Sequence, residues 1–398
     1  MTKKLNKIEK LIADLCPEGV ELKSIGEICQ INRGRVVSKD YLRNNAGEYP
    51  VYSSQTVDDG VFGRINTYDY DGEYLTWTTD GANAGSIFYR NGKFSITNVC
   101  GLLKVKVDGV NTKFLLYILT TVSKRYVSAG MGNPKIMSNV MEKIKIPIPP
   151  LAIQREVVKI LDTFTELEAE LEAELEARKK QYEYYREELL TFYDDVEWKT
   201  LGEVGTLIRG NGLQKKDFVD DGVGCIHYGQ IYTYYGTYAN KTKTFVSSKL
   251  AKKLKKAQRG DVLISGVSEN IEDICKPLGW LGGEICISGD MFAFRHNQNT
   301  KFITYLLQTT NFKRYKERFA HGAKVIRVKQ DKILDYKIPI PPLAEQERIV
   351  AILDKFDALT NDISTGLPAE LNARQKQYEY YRGKLLTFKP LKKEYAKQ

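Results

Sequence analysis

Histidine is nearly absent from this chain: 398 residues hold three. Cysteine is sparse as well, at positions 16, 29, 100, 225, 275 and 286, with no C-x-x-C pair. Zinc sites and disulfide frameworks are built from such clusters, so neither is expected. Thiols that stay reduced point to a bacterial-type cytoplasm. Long apolar runs are missing too. Mean hydropathy is -0.38, and no stretch approaches the roughly 20 apolar residues that cross a bilayer. The opening MTKKLNKIEKLIADLC lacks the apolar core and cleavage site of a signal peptide.

Catalytic signatures are equally scarce. There is no G-x-x-x-x-G-K-[ST] phosphate loop. There is no N-P-P-[FY] or D-P-P-[YF] amino-methyltransferase tetrad, because Asn133-Pro134 is followed by lysine. Glu197-Trp-Lys199 has the E-x-K spacing of a nuclease, but no Pro-Asp dipeptide completes it, and it recurs as Glu21-Leu-Lys23. That recurrence reads as scaffold. Nothing completes a triad around His227. No catalytic residue and no metal site is therefore expected.

What the chain does have is positive charge, distributed unevenly. The net charge is +10, from 60 basic and 50 acidic residues. Residues 1–144 carry 19 basic and 15 acidic groups, residues 145–198 carry 7 and 14, residues 199–337 carry 24 and 13, and residues 338–398 carry 10 and 8. A uniformly solvated surface does not divide this way. Basic globular segments beside an acidic helix suit an anionic partner, nucleic acid first.

The chain also repeats itself. Lys145-Ile-Pro-Ile-Pro-Pro-Leu-Ala152 recurs as Lys337-Ile-Pro-Ile-Pro-Pro-Leu-Ala344, an offset of 192. Residues 181–192 (QYEYYREELLTF) recur as 377–388 (QYEYYRGKLLTF), now at offset 196. Val20–Glu27 resembles Val196–Glu203, Arg33-Gly34 aligns with Arg209-Gly210, Asn111–Phe114 with Asn299–Phe302, and Lys124–Tyr126 with Lys313–Tyr315. Between these anchors the halves diverge. A repeated scaffold with different interiors suits two recognition modules of shared geometry and different targets.

Strand-like runs lie at Ser86–Tyr89, Leu102–Val107, Asp261–Ile264 and Met291–Phe294, and helical ones at 113–121 and 301–309. The prolines make 146–149 extended, and Pro150 and Pro342 suit a helix start. Apolar stripes follow: Val157, Ile160, Leu161, Phe164, Leu167 and Leu171 in one copy; Ile349, Ile352, Leu353, Phe356 and Leu359 in the other. Each stripe needs a partner, and an antiparallel helix pair supplies it. The tyrosines at 182, 184 and 185, copied at 378, 380 and 381, suit packing against the neighbouring domain, a partner-binding patch being the second possibility. The offset change arises where the first helix holds the array Leu167-Glu-Ala-Glu170, Leu171-Glu-Ala-Glu174, Leu175-Glu-Ala-Arg178, built of strong helix formers. The second copy has Thr365-Gly-Leu-Pro368, a break.

The proline linkers, the Q-Y-E-Y-Y-R-x-x-L-L-T-F helix ends, the opening Leu15–Val20 and the loop Ala129-Gly-Met-Gly-Asn-Pro-Lys135 resemble the specificity subunit of type I restriction-modification systems over nearly the whole chain. The resemblance implies two α/β (mixed α+β) target-recognition domains in tandem, separated by long helices forming an antiparallel coiled coil, with an internal pseudo-two-fold repeat. The expected divisions are 1–145, 146–195, 196–337 and 338–398. It further implies double-stranded DNA read in two halves, two methyltransferase subunits docked on the helices, and restriction subunits. S-adenosylmethionine, ATP and Mg²⁺ would then act on those partners, with none bound by this chain. One departure is that the second half has Ala320-His-Gly-Ala-Lys324 in place of the G-x-G-N-P-K loop. A stand-alone DNA-modifying enzyme and a DNA-binding scaffold or regulator remain the alternatives.

Base edges are read by Arg, Lys, Asn, Gln and hydroxyl side chains, and phosphates are held by Lys, Arg and hydroxyls. Repeat position and side-chain chemistry select Arg33, Arg35, Tyr52, Ser54, Gln55, Thr78, Asn83, Lys124, Arg125, Asn133 and Lys135 in the first module. In the second they select Arg209, Gln214, Lys215, Lys216, His227, Tyr228, Gln230, Tyr232, Lys313, Arg314, Lys324 and Arg327. The lysine run 252–256 reads as a solvated helix face.

Overall fold

The computed structural model describes residues 2–128, 132–193, 196–362 and 364–391, the first five without their side chains. The chain packs as two units, Met1–Glu170 with Ala373–Gln398, and Leu171–Asn372. The long helix Leu151–Leu189 thus contributes to both, as does the helix Leu367–Leu385. Each unit consists of one globular module, the start of the helix that follows it, and the end of the other repeat's helix.

In the first unit a six-stranded sheet runs in the order Cys29–Arg33, Cys100–Val105, Tyr70–Thr78, Ile87–Ile96, Ala46–Tyr52, Val61–Ile65. All pairs are antiparallel except Ala46–Tyr52 with Ile87–Ile96. Trp77 is fully buried under it, and its indole N–H donates to the Ile136 carbonyl at 3.0 Å. The helix Thr112–Val122, capped by the Asn111 carboxamide, packs on one face. The module is closed by a two-stranded ribbon, Leu22–Ser24 against Lys145–Pro147.

The second unit repeats the closure with Glu197–Thr200 against Lys337–Ile340. Glu197 and Lys199 pair with each other at 3.0 Å, as Glu21 and Lys23 do at 3.4 Å, so the E-x-K spacing belongs to the ribbon. Its interior differs from the first. There are two five-stranded sheets, one ordered Gly205–Arg209, Met291–His296, Val262–Ser265, Pro277–Trp280, Tyr238–Ala239. The other is ordered Phe218–Val219, Thr244–Val246, Val223–Ile226, Ile285–Ile287, Lys256–Ala257. The lysine run is not a helix face. The helix there ends at Ala251, and Lys256 opens a strand and pairs with Glu284 at 3.5 Å.

The helices are fixed to the modules by matching polar clamps. Gln154 is buried; its Oε1 accepts from the Asn111 N–H at 2.8 Å and its Nε2 donates to the Pro149 carbonyl at 2.7 Å. Gln346 does the same for Asn299 and Pro341, at 3.0 and 2.9 Å. Asp162 accepts from Lys113 at 2.7 Å and from the Tyr117 hydroxyl, and Asp354 accepts from Lys301 and, at 2.7 Å, from Tyr305. The prolines directly precede the helices, which begin at Leu151 and Leu343.

The apolar stripes find their partners only in part. Val157, Leu161, Ile349 and Leu353 are buried, whereas Leu167 and Leu359 remain 40 % and 37 % exposed. In the first unit Phe164 packs on Tyr378 and Tyr381, and Glu168 accepts from Gln375 at 2.7 Å. Contacts that rise in number along one helix fall along the other, so the pair is antiparallel. The second helical copy breaks as expected: Leu343–Asn361 ends before Gly366, and a fresh helix starts at Leu367.

Candidate nucleic-acid interface

The strand ladder assembles one arrangement twice. In the first module the strand Cys29–Arg33 ends in Arg33-Gly34, and a Cβ at Gly34 would lie 2.1 Å from the Ile96 carbonyl oxygen. Only glycine lets the chain pass so close. Gly210 is in the same situation, 2.0 Å from the Ser288 carbonyl oxygen. Each glycine N–H donates to the carbonyl across the ladder, Gly34 to Cys100 and Gly210 to Met291, at 3.4 and 3.0 Å. The arginine before it is thereby set at the mouth of a cleft.

A second basic residue closes each cleft. Lys135 is bridged to Asp80 and to Ser128, while Arg327 is bridged to Val267 and to His321. The first cleft, about 360 Å³, brings together Arg33, Asp80, Asn98 and Lys135. The second, about 330 Å³, brings together Arg209, Asp290, Arg327 and Lys329. The structural counterpart of Lys135 is thus Arg327, not Lys324, which lies exposed in the intervening loop. Residues 129–131 of the first loop lie outside the described residues.

The remaining candidates divide. Lys215, His227, Tyr228, Gln230 and Tyr232 line one groove of about 500 Å³ in the second module. Asn270 lines it too and was not selected from sequence; its only signal was an Asn inside a turn, where its Oδ1 accepts from the Asp273 N–H at 2.8 Å. His227 caps the helix Tyr228–Thr233, its Nδ1 accepting from the Gly229 N–H at 3.3 Å. Burial, then the nearby Lys215 charge, push its pKa down, so it presents a neutral ring. The Tyr232 hydroxyl donates to the Val267 carbonyl at 2.6 Å and burial raises its pKa to about 12. Gln214, Lys216, Lys313 and Arg314 are exposed. Lys313 lies apart from the groove, beside Glu183, Tyr184 and Glu187 at the end of the long helix.

In the first module Tyr52 supports Arg90, whose guanidinium lies 3.6 Å from its ring centre. Arg35 pairs with Asp69 at 3.1 Å and leans on Tyr41. Ser54 and Gln55 are partly buried and donate to the Val99 and Val61 carbonyls. Asn83, Lys124, Arg125 and Asn133 are exposed. Thr78 is fully buried and donates to the Asn83 carbonyl; it supports the loop and has no surface to offer a ligand.

No group of three or more His, Cys, Asp or Glu able to hold a metal occurs among the described residues. Five of the six free thiols are buried, and desolvation raises the pKa of every one of the six. No helix among the described residues is long and apolar enough to cross a membrane.

One family accounts for both modules: the type I restriction modification DNA specificity domain matches residues 17–177 and again 193–373. The chain belongs to the type I restriction-modification specificity family. It is a recognition subunit of that family and not itself the enzyme. A Mycoplasma pneumoniae protein that carries the name of a type I specificity subunit is 32 % identical over 365 residues, covering 91 % of this subunit and 96 % of that protein. A Haemophilus influenzae protein named as a type I restriction enzyme specificity subunit is 35 % identical over 392 residues, covering 93 % and 96 %. The crystal structure of a type I restriction-modification S subunit from M. genitalium shares the fold. Its TM-score is 0.56 at 16 % identity, over 92 % of this subunit and 96 % of that chain.

Proposed function

We propose that this specificity subunit directs a DNA methyltransferase and nuclease assembly to a split duplex target, each module reading one half. The observation that carries this is the repeated frame around unlike interiors. Ribbons, clamps and basic clefts recur, while one module has a single six-stranded sheet and the other has two five-stranded sheets. The neutral His227, Gln230 and Asn270 of the second-module groove are suited to base edges, and exposed Lys124, Arg125, Lys215 and Lys216 to phosphates.

The helices would set the distance between half-sites and carry two methyltransferase subunits, with restriction subunits joining them. S-adenosylmethionine, ATP and Mg²⁺ would be used by those partners in the cytoplasm. Tyr184 and Tyr380 support the docking role. They occupy matching repeat positions, and 63 % and 66 % of their surfaces remain exposed, while of their neighbours Tyr182 is buried and Tyr378 partly buried.

Methylome sequencing of the host with and without this gene tests the proposal. A bipartite methylated motif should vanish on deletion. A motif that persists would refute it.

A further inference from the structure

We propose that the two matched clefts are phosphate clamps that hold each module on the DNA backbone without reading sequence. This rests on the reading of the modules as DNA readers and assigns these four cations a role distinct from base recognition.

Position is the first argument. Arg33 and Arg209 follow the same strand, precede the same closely approached glycine, and face Lys135 and Arg327 across equivalent bridges. The modules differ elsewhere. Side chains kept at matching places in two modules of different target suit what both half-sites share, and every half-site shares its phosphates.

Chemistry is the second. One module has lysine where the other has arginine. Arginine presents a planar fork and lysine a compact point charge, so the exchange keeps the charge and changes the geometry offered to a base edge. A phosphate accepts either cation.

Availability is the third. Arg33 uses one Nη2 N–H on the Thr79 hydroxyl at 3.0 Å, and Arg209 uses its Nε on the Gly289 carbonyl at 3.1 Å. These bonds orient the guanidinium groups and leave further N–H donors for a ligand. Asp80 lines the first cleft, and Asp290 and Asp331 the second. None of them forms an ion pair with the four cations, and all four are exposed.

The test uses the full subunit assembled with its methyltransferase subunits and two duplexes. One carries the motif read from the host methylome; the other has both half-sites scrambled. Arg33→Ala with Lys135→Ala, and Arg209→Ala with Arg327→Ala, should each weaken both duplexes by the same factor. The slope of log affinity against log salt should shrink by about 1.8 per double variant, from roughly 0.9 per phosphate contact. The methylated motif should stay the same. Arg33→Lys with Lys135→Arg should keep the wild-type slope, which separates lost charge from misfolding. A loss confined to the cognate duplex, a changed base in the motif, or an unaltered slope would overturn the clamp. Wild-type assembly that fails to bind either duplex would overturn the DNA-reading proposal beneath it.

Discussion

The ring of Phe164 stacks on Tyr381 with centroids 5.7 Å apart and planes 29° from parallel. The second unit holds the same pair, Phe356 on Tyr185, at 5.3 Å and 25°. Phe164 also packs on Tyr378 and Phe356 on Tyr182, so in each unit one phenylalanine holds two tyrosines of the other repeat's helix tail, and in the proposed function the residues between these grips are the spacer. In the first helix they include the Leu-Glu-Ala-Glu array.

Deleting residues 171–174 should shorten the helix by about 6 Å, one to two base-pair steps at roughly 3.4 Å each. The spacer in the methylated motif should shorten while both half-sites stay unchanged. Methylome sequencing of the deletion strain reads this directly, and an unchanged spacer would remove the ruler role.

The clamps make a second prediction. Asp162→Ala leaves Lys113 and Tyr117 without their acceptor, and Asp354→Ala does the same to Lys301 and Tyr305. Each change should cost about 2 kcal/mol, as expected for hydrogen bonds to a charged group. Urea unfolding measures it, and a cost below about 0.5 kcal/mol would show that the clamps contribute little.

Histidine supplies a pH prediction. His296 is pushed down to about 4 by burial, with the nearby Asp261 charge opposing. Its Nε2 is buried without a partner. The folded state therefore resists protonation more than the unfolded chain, whose histidines titrate near 6.5. The neutral ring's contribution is complete above about pH 6.5. It falls as pH drops towards 4 and changes no further below that, a loss of up to about 3 kcal/mol. His296→Gln should flatten the fall in the urea midpoint between pH 6.5 and 4.5. An identical fall in the variant would assign it to carboxylates instead.

The helical frame was legible in the sequence because its signals are local. Proline fixes the linkers, the Leu-Glu-Ala array is continuous helix, and the break at Gly366 falls where Thr365-Gly-Leu-Pro368 placed it. Sheet order was not legible. It depends on pairings such as Ala46–Tyr52 lying beside Ile87–Ile96 in parallel, which no short-range pattern specifies. The clefts needed the structure as well. Lys135 reaches Arg33 across about a hundred residues of chain. Lys135 lies 11 residues after Lys124 while Arg327 lies 14 after the matching Lys313, so counting from that anchor lands on Lys324. Thr78 is buried for a different reason: Tyr74–Thr78 is buried at every position, so this stretch of strand is covered on both faces and alternation gives a polar side chain no outward side.

The most direct test of two-module reading is exchange of one module. Residues 196–337 would be replaced with the corresponding segment of another specificity subunit, and the methylome sequenced. Two independent modules predict a new motif with one half altered and the other half retained. Alteration of both halves, or of neither, would contradict it.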